Sequence, residues 1–540
     1  MKIKDILTIN LDEDIKNVID LENFSENEIK EEIDNYIVTD GLAKEFANFV
    51  STYVSNIRET GVWISGFYGS GKSYFGKILG YLLNNQPILG TPARERILQR
   101  FTGISDEALV KNSLSGLDSV QSKVVFLDIA KQDTSKGFAY ALFRNFLKAL
   151  NLPQNEHGFI LYQLMINDNN IDVGNYVFKK LNTDWNNLKT KMLEYARAIK
   201  KIYIDKGNSE EDYNNILETI RRDIDSFDAS KLRDQLKNYL DILKEEKIVF
   251  LFDEASEAIN QGKFTLLDLE GVSEALSSLG NQVWTIAIAQ EKLDDVINNS
   301  NIGKAQLTKV TDRFKTKIHL EATEVDQIIK SRLLKKTDDG VRALKDHFRK
   351  HSGQIADHST LTGAGIVKTD KEESYITYYP FYKHQFDLMQ NFLFGTKGSS
   401  TKVAAQGMII TTFDILRKEA KDEGLYKTVT GWQIAKQAQP SPSVRLVNRY
   451  DNAERILREN NSNISGRKLL ETINFLSEAE VTPANIDNII KSYISEPDQY
   501  HKVKTDIEKA LDELLEAKIL LKSNGTSELL PISNNGFWTK

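Results

Sequence analysis

Short apolar runs without polar alternation recur along the first 320 residues. They are Val62–Ser65, Lys123–Ile129, Ile248–Phe252 and Val283–Ala289, and Thr316–Leu320 predicts a further strand. Continuous apolar runs are typical of strands that are covered on both faces. Because helical stretches separate them, the pattern predicts a parallel α/β sheet.

Helical periodicity predicts helices in the segments before and between these strands. Residues 1–60 predict a helical lead-in, with a helix over Gly41–Arg58 and Thr39 or Asp40 as its N-cap. The polar segment at about 131–246 predicts a helical insertion within the sheet domain. The apolar face of the Gly41–Arg58 helix consists of Leu42, Phe46, Phe49, Val50, Tyr53, Val54 and Ile57.

After about residue 322 the strand pattern stops. Val325–Arg349 and Phe381–Phe394 are amphipathic and predict helices, Gly395–Lys402 is a Gly/Ser loop, and Met408–Glu419 resumes a helix. These residues predict a helical domain at 322–430.

Residues 431–540 predict a separate unit. Thr505 and Glu508 have the spacing of a capping box and predict the start of a helix. Lys518–Lys522 and Glu528–Ile532 flank Asn524-Gly525, a strong hairpin signal. A helix followed by a hairpin predicts a winged-helix-like domain.

Composition narrows the function classes. The 540 residues carry a net charge of −7 and no cysteine, which excludes a disulfide framework, a cysteine-ligated zinc site and a thiol nucleophile. The N-terminus lacks the apolar region of a secretory signal, and no apolar run is long enough to span a bilayer. We therefore expect a cytoplasmic protein without membrane contact.

The charge balance gives no global nucleic-acid footprint. The chain is mildly acidic, so any DNA contact has to come from a local patch. The most basic stretch is Lys330–Lys350, which on a helix could line phosphates or could form a solvated face.

The strongest motif is a phosphate-binding loop that follows the first predicted strand and opens a helix. Its glycines let backbone N–H groups face the phosphates, its lysine reaches the β- and γ-phosphates of ATP, and its serine hydroxyl binds Mg²⁺. The alternative is a glycine-rich turn. The motif is Gly66, Phe67, Tyr68, Gly69, Ser70, Gly71, Lys72 and Ser73.

Two acids end the strand Ile248–Phe252, at the edge where a parallel sheet presents its ligands. Asp253 is predicted to hold Mg²⁺ through water, and Glu254 to polarise the attacking water as general base. The alternative is a solvated strand end. Together with a phosphate loop on a separate strand, the acidic pair indicates nucleotide hydrolysis.

Three further residues are weaker candidates. Gln290 ends the strand Val283–Ala289 and could orient the attacking water. Asp128 could contact the catalytic glutamate. Arg313 could stabilise charge on a neighbouring subunit's nucleotide, or could form a surface ion pair with an acid such as Asp312.

Taken in this order, these features resemble AAA+ ATPases. More specifically, the chain resembles the N-terminal ATPase portion of the BrxC/PglY family of bacterial BREX phage-defence systems, over most of its length. The residues that carry the resemblance are Tyr36-Ile-Val-Thr39, Gly61–Ser73, Asp312-Arg-Phe314, Ser331–Thr337 and Tyr379-Pro-Phe381.

The resemblance implies an AAA+ P-loop core of the ASCE type at 61–321, a helical lid at 322–430 and a winged-helix region at 431–540. It strengthens the assignment of Arg313 as an arginine finger that acts in trans. It also implies a homo-oligomer, other BREX-type partner proteins, and DNA reached directly or through those partners. Relatives carry a lid arginine where this chain has Gly407, which puts fast hydrolysis in doubt.

Three functions remain open at this point. The first is an ATPase of the AAA+ type that oligomerises and acts in a DNA-associated defence complex. The second is a nucleotide-switched scaffold with little or no hydrolysis, motivated by Gly407. The third, a small-molecule phosphotransferase, is disfavoured by the acidic pair and by the C-terminal helical modules.

Overall fold

The computed structural model describes residues 1–12, 25–55, 57–66, 71–298, 304–320, 323–363, 369–395, 404–522 and 529–531. The chain forms two compact units. The sheet unit consists of the described residues within 18–320, and the helical unit consists of those within 1–17 and 321–540.

The sheet unit alternates strands with helices. Seven helices, α6–α12, lie between β4 and β5 in the segment where an insertion is predicted. Its elements are α1 (Glu26–Asn35), α2 (Asp40–Val54), β1 (Gly61–Gly66), α3 (Lys72–Asn84), β2 (Pro87–Ile88), β3 (Thr91–Pro92), α4 (Ala93–Leu98), α5 (Glu107–Leu114), β4 (Gln121–Asp128), α6 (Phe138–Ala149), α7 (Glu156–Asn167), α8 (Val173–Leu181), α9 (Trp185–Leu188), α10 (Met192–Asp205), α11 (Glu210–Asp225), α12 (Ala229–Ile242), β5 (Glu246–Asp253), α13 (Ala255–Asn260), α14 (Leu266–Ser277), β6 (Val283–Ala289), α15 (Leu293–Asn298), α16 (Lys304–Arg313) and β7 (Thr316–Leu320).

The helical unit contains one short antiparallel strand pair at the end of its described part. Two π-helical turns, Ile329–Leu333 and Ile415–Ala420, continue α17 and α21. Its elements are α17 (Thr323–Ile328), α18 (Asp338–His358), α19 (Glu372–Tyr378), α20 (Lys383–Gly395), α21 (Ala404–Asp414), α22 (Gly431–Ala438), α23 (Val444–Glu459), α24 (Gly466–Ala479), α25 (Ile486–Tyr493), α26 (Tyr500–Glu516), β8 (Leu520–Lys522) and β9 (Leu529–Pro531).

The five long strands form one parallel sheet in the order β4-β5-β6-β1-β7. All five predicted strands are confirmed, and β1 and β6 are buried at every position. β6 separates the phosphate-loop strand β1 from the acidic strand β5. The predicted α/β fold class, a parallel sheet with a helical insertion between two of its strands and further helices after its last strand, is therefore confirmed.

Two apolar cores cover the two faces of this sheet. One contains residues of α1–α5, and the other contains residues of α6–α16, among them the insertion helices α6–α12. Helix α3 packs closely on the sheet: a Cβ at Gly76 would lie 2.2 Å from Cδ1 of Ile288, and one at Gly80 would lie 2.3 Å from the ring of Phe126. The close packing of α3 fixes where Lys72 and Ser73, its first two residues, stand relative to the sheet.

The start of α2 agrees with the sequence prediction. The Thr39 hydroxyl accepts a hydrogen bond from the Leu42 N–H at 3.1 Å and caps the helix. The helix ends at Val54, four residues before the predicted Arg58, and Val54 is exposed rather than part of the apolar face.

Three local predictions in the helical unit need correction or completion. The single helix predicted over Val325–Arg349 is wrong, because the chain leaves the helix before Thr337 caps α18. The capping box at Thr505 is also wrong: Thr505 lies inside α26, which begins at Tyr500. The predicted pairing of the last strands is confirmed for β8 and β9, whereas the Asn524-Gly525 turn lies outside the described residues.

The first residues of the chain pack into the helical unit. Ile3 and Ile6 are buried, and Lys2 and Leu7 form isolated bridges with Gly424 and Lys336. Among the described residues, no helix combines the length and the apolar character that crossing a membrane requires.

Candidate functional site

The phosphate-loop motif joins β1 to α3, as predicted. Gly71 has a φ of +82°, a left-handed conformation that costs a glycine nothing, and its carbonyl accepts the first helical hydrogen bond, from Phe75 N–H at 2.7 Å. Gly66 ends β1, whereas the predicted phosphate-binding residues Phe67, Tyr68, Gly69 and Ser70 lie outside the described residues. The N-terminus of α3 and its partial positive charge therefore stand at the carboxyl edge of the sheet.

The two last residues of the motif face the end of β5. The Ser73 hydroxyl hydrogen-bonds with the Asp253 carboxylate, and Lys72 lies close enough to Asp253 and Glu254 to interact electrostatically with both. Burial lowers the pKa of Lys72, although the two carboxylates partly oppose that shift. A lysine desolvated beside two acids suits a site that receives further negative charge.

Asp253 is the most perturbed group of the site. Its side chain is buried, and burial raises the pKa of the carboxyl to about 6, while Ser73 and Lys72 act in the opposite direction. A buried carboxylate paired with a hydroxyl supplies the oxygen ligands that Mg²⁺ prefers. Among the described residues, no group of three or more His, Asp or Glu side chains could hold a metal alone. A magnesium ion at Ser73 and Asp253 would therefore complete its shell with phosphates and water.

Glu254 occupies a strained position directly after β5. It adopts φ +57° and ψ +35° as the N-cap of α13, and its N–H donates to Oδ1 of Asp253 at 2.9 Å. Left-handed backbone at a residue with a side chain costs energy and is concentrated at functional sites. The turn separates the two neighbouring carboxylates, so that Asp253 faces Ser73 and Glu254 faces the end of β6.

Gln290 meets Glu254 across the sheet edge. Its side-chain Nε2 donates to Oε2 of Glu254 at 3.2 Å, and its backbone N–H donates to Oγ of Ser256 at 3.2 Å. Hydrogen bonds to Ser256 and Glu254 therefore fix both the backbone and the side chain of Gln290. Sequence reasoning missed Ser256; its position in the first turn after the acidic pair was the available signal.

Asp128 does not fill the role suggested for it. Its Oδ2 forms an ion pair with Lys131 Nζ at 2.7 Å, and its buried Oδ1 has no hydrogen-bond partner among the described residues. Asp128 pairs in register with Asp253 on β5, one residue before Glu254. The side chain that hydrogen-bonds with Glu254 is therefore Gln290 and not Asp128.

Arg313 ends α16 at the opposite edge of the sheet. Its carbonyl packs against Gly61, the first residue of β1, and Phe314 packs edge-to-face on Trp63. At about 3.3 Å per residue, the six-residue strand separates this end from Gly66 by about 17 Å. The guanidinium donates to Oε1 of Glu274 at 3.0 Å. Asp312, the ion-pair partner considered from sequence, is replaced by Glu274, a partner that no local pattern indicated.

Three of the eight basic residues in the stretch Lys330–Lys350 form ion pairs. Lys330 pairs with Asp326, Arg342 with Asp339, and Arg349 with Glu372, while Lys336 donates to the carbonyl of Thr377. These contacts favour the solvated-face interpretation over a phosphate-binding surface.

Gly407 lies in α21 against Leu393 of α20. A Cβ at this position would lie 2.9 Å from Cδ1 of Leu393. The glycine therefore serves the close contact of two helices. Lys402, the last residue of the predicted Gly/Ser loop, lies outside the described residues.

No family model matches the chain. Two solved structures of the ORC2 protein of Aeropyrum pernix are similar to it, one described as ADPNP-ADP complexes and the other as the ADP form. They are 10% and 12% identical, cover 95% and 94% of this chain and 91% and 89% of their own, and have TM-scores of 0.33 and 0.32.

Proposed function

We propose that this protein binds and hydrolyses ATP as an AAA+ ATPase. The observation that carries the proposal is the convergence of Lys72, Ser73, Asp253, Glu254 and Gln290 at the carboxyl ends of β1, β5 and β6. Parallel sheets bind ligands at this edge. An acid pair on a strand separate from the phosphate loop provides a base for water as well as a ligand for magnesium.

Each residue has a distinct task in this proposal. Lys72 and the N–H groups at the start of α3 bind the β- and γ-phosphates of ATP. Ser73 and Asp253 would hold Mg²⁺, which neutralises phosphate charge when it is bound. Glu254 accepts a proton from the water that attacks the γ-phosphorus, the bond to the β-phosphate oxygen breaks, and ADP and phosphate leave. Gln290 holds Glu254 and the water in position.

Arg313 supports assembly of the chain into a homo-oligomer. It lies a strand's length from its own phosphate loop, so it can reach a nucleotide only in a neighbouring subunit. An arginine supplied in trans stabilises the charge on the transferring phosphoryl group and raises turnover by about 10³-fold or more.

The cellular role rests on the resemblance alone. We propose that the ATPase acts in the cytoplasm within a BREX-like anti-phage complex, with other defence proteins as partners. In this proposal DNA is reached directly or through those partners, and the ion pairs of Lys330, Arg342 and Arg349 favour the second route.

Mixing two inactive variants tests the ATPase and the trans arginine together. Lys72→Ala and Arg313→Ala should each lose Mg²⁺-dependent phosphate release, and their mixture should recover it, because each variant supplies the group that the other lacks. Arg233→Ala, which removes an arginine from an exposed ion pair on α12, is the matched control and should turn over normally. Full activity of Lys72→Ala would overturn the ATPase, and an inactive mixture would overturn the action in trans.

A nucleotide-switched scaffold is the second candidate function. The contact of Gly407 with Leu393 favours it, because the helix position where relatives carry a lid arginine has no side chain here and could take one only if Leu393 shifted. If the protein is a scaffold, ATP should drive assembly of the wild type without phosphate release. The Glu254→Gln variant should assemble with ATP in the same way. Identical sedimentation with and without Mg²⁺-ATP would exclude it.

A further inference from the structure

The parallel sheet ends at β4, and its outer edge is open to a groove. Among the described residues, β5 is the only strand that pairs with β4. A cavity of about 720 Å³ runs along Val120–Val124 and Phe126. Its walls come from the end of α3 and from α4 on one face of the sheet, and from α6 on the other. A sheet edge that lies between two walls has the shape that receives an extended chain.

The main chain of β4 presents hydrogen-bonding groups toward this groove. The Val124 N–H donates to Oδ1 of Asn84, a side chain of α3, at 3.4 Å. Successive residues of a strand direct their N–H and C=O groups to opposite edges, so Ser122 has the same orientation as Val124. Oδ1 of Asn84 takes the place that the carbonyl oxygen of a neighbouring strand would take. It does so for the N–H of Val124 and not for that of Ser122.

The groove carries an excess of positive charge. Arg94, Lys123 and Lys148 line it, against Asp118 and Glu246. Glu246 already accepts a hydrogen bond from Tyr239 at 2.6 Å, and Lys123 forms no ion pair among the described residues.

Arg94 is the fixed cation of the groove. Its side chain is buried, and Nη1 and Nε donate to the carbonyls of Leu117 and Leu82 at 2.8 and 3.3 Å. Asp118, at 3.7 Å, is the nearest acid that pairs with it and is mostly exposed. A guanidinium has five N–H donors, so the two carbonyls leave capacity for an incoming carboxylate.

We propose that this groove binds an acidic peptide segment of a partner protein, which adds to β4 as a further strand of the sheet. Main-chain hydrogen bonds to the outer edge give the affinity, and Arg94 and Lys123 select acidic side chains. The groove lies at the start of β4, whereas Asp253 ends the neighbouring strand β5 and Glu254 follows it, so peptide and nucleotide have separate sites. The proposal does not depend on ATP hydrolysis.

Binding of designed peptides to the full chain tests it. The probe is a fluorescein-labelled peptide of alternating valine and glutamate, with eight residues to match β4. Fluorescence anisotropy should show that it binds at least about tenfold more tightly than a valine–lysine peptide of equal length. The same acidic peptide with every backbone nitrogen methylated has no main-chain N–H to donate to a strand edge and should lose binding by a similar factor.

Two protein variants locate the site. Lys123→Glu should weaken binding of the acidic peptide about tenfold, and the matched exposed control Lys237→Glu on α12 should not. Equal binding of the methylated and unmethylated peptides, together with displacement by inorganic pyrophosphate, would show a small-anion site and overturn the proposal. Failure of the unmethylated peptide to bind would overturn it as well, and the methylation test needs no altered protein.

Discussion

The side-chain amide of Gln290 donates a hydrogen bond to the carboxylate of Glu254, with 3.2 Å between Nε2 and Oε2. The two residues are 36 positions apart in the chain and come together because β5 and β6 are neighbours in the sheet. Through this contact, the residue that follows the adjacent strand β6 positions the carboxylate of the proposed general base.

Removing Glu254 should slow ATP hydrolysis more than removing Gln290. Glu254→Gln removes the proton acceptor, and we expect phosphate release to fall by about 10²–10⁴-fold while ATP still binds. Gln290→Ala leaves the base but frees its carboxylate, and we expect a loss of about 10–100-fold in kcat. Gln261→Ala, a change at an exposed glutamine that follows α13, should leave kcat unchanged. A Gln290→Ala enzyme with wild-type kcat would show that the contact is only structural.

Asp253 should make the protein less stable as the pH rises. Burial raises the pKa of its carboxyl from 3.8 to about 6. Between these values the folded chain keeps a proton that the unfolded chain releases, so the free energy of unfolding falls as pH increases through this window. Asp253→Asn should therefore raise the free energy of unfolding by as much as about 3 kcal/mol at about pH 8 and by about half as much at about pH 5.

Urea unfolding of both proteins at the two pH values measures this difference. The exposed Asp241→Asn on α12 is the control and should show little change at either pH. A gain for Asp253→Asn that does not shrink as the pH is lowered would mean that the ionised carboxylate is not the source of the cost. The stabilised variant should lose Mg²⁺-dependent phosphate release, because the buried carboxylate that costs stability is the proposed magnesium ligand.

A buried ion pair joins the N-terminal helix α1 to the phosphate-loop helix. Lys77 Nζ donates to Oε1 of Glu32 at 2.9 Å, and Tyr81 donates to Oε2 of Glu32 at 2.8 Å. Lys77 is completely buried. Lys77→Met leaves the Glu32 carboxylate without its cation and should lower the free energy of unfolding by about 3–5 kcal/mol.

The double variant separates the pair from its packing. Adding Glu32→Leu to Lys77→Met should restore most of the lost stability, because no uncompensated charge remains. Lys30→Met removes the exposed ion pair with Asp34 on the same helix α1 and should cost less than about 1 kcal/mol. Equal urea midpoints for Lys77→Met and Lys30→Met would contradict this account.

Two helix glycines should respond to alanine in opposite directions. A Cβ at Gly76 would lie 2.2 Å from Cδ1 of Ile288, so Gly76→Ala must displace the Ile288 side chain or α3 and should cost about 1–3 kcal/mol. Gly271 in α14 has no atom within 4 Å of a Cβ, and Gly271→Ala should stabilise the protein by up to about 1 kcal/mol. Ile288→Val removes the clashing methyl group and should recover part of the Gly76→Ala loss. Thermal unfolding of Gly76→Ala, Gly271→Ala and the double variant Gly76→Ala/Ile288→Val checks the order.

The sheet strands and the phosphate loop were the most predictable parts. Ile248–Phe252 is apolar at every position, and β5 extends it by two residues before and one after. The start of α2 was predictable for the same reason, because Thr39 caps it through a contact three residues away. The residues that make up such a pattern lie within a few positions of one another, so the pattern can be recognised without knowledge of the fold.

Local signals failed where tertiary packing outweighed them. Thr505 and Glu508 have capping-box spacing, yet α26 starts at Tyr500, because the turn at Pro497–Gln499 leads directly into the helix. Arg313 was found by its position before β7, but its partner Glu274 lies on a helix 39 residues earlier. Gly407 was noted only as a missing arginine, and its contact with Leu393 depends on how α20 and α21 cross.

The sequence by itself determined the α/β class, the motif from Gly66 to Ser73 and the acids that end β5, because periodicity and short spacings act within one strand or one turn. Only the tertiary structure decided that Gln290 holds Glu254, that Arg313 stands at the far end of β1, and that β4 borders an open groove. Those relationships follow from the order of the strands in the sheet. Strand order is set by the packing of whole faces against one another, and no short window of residues contains that information.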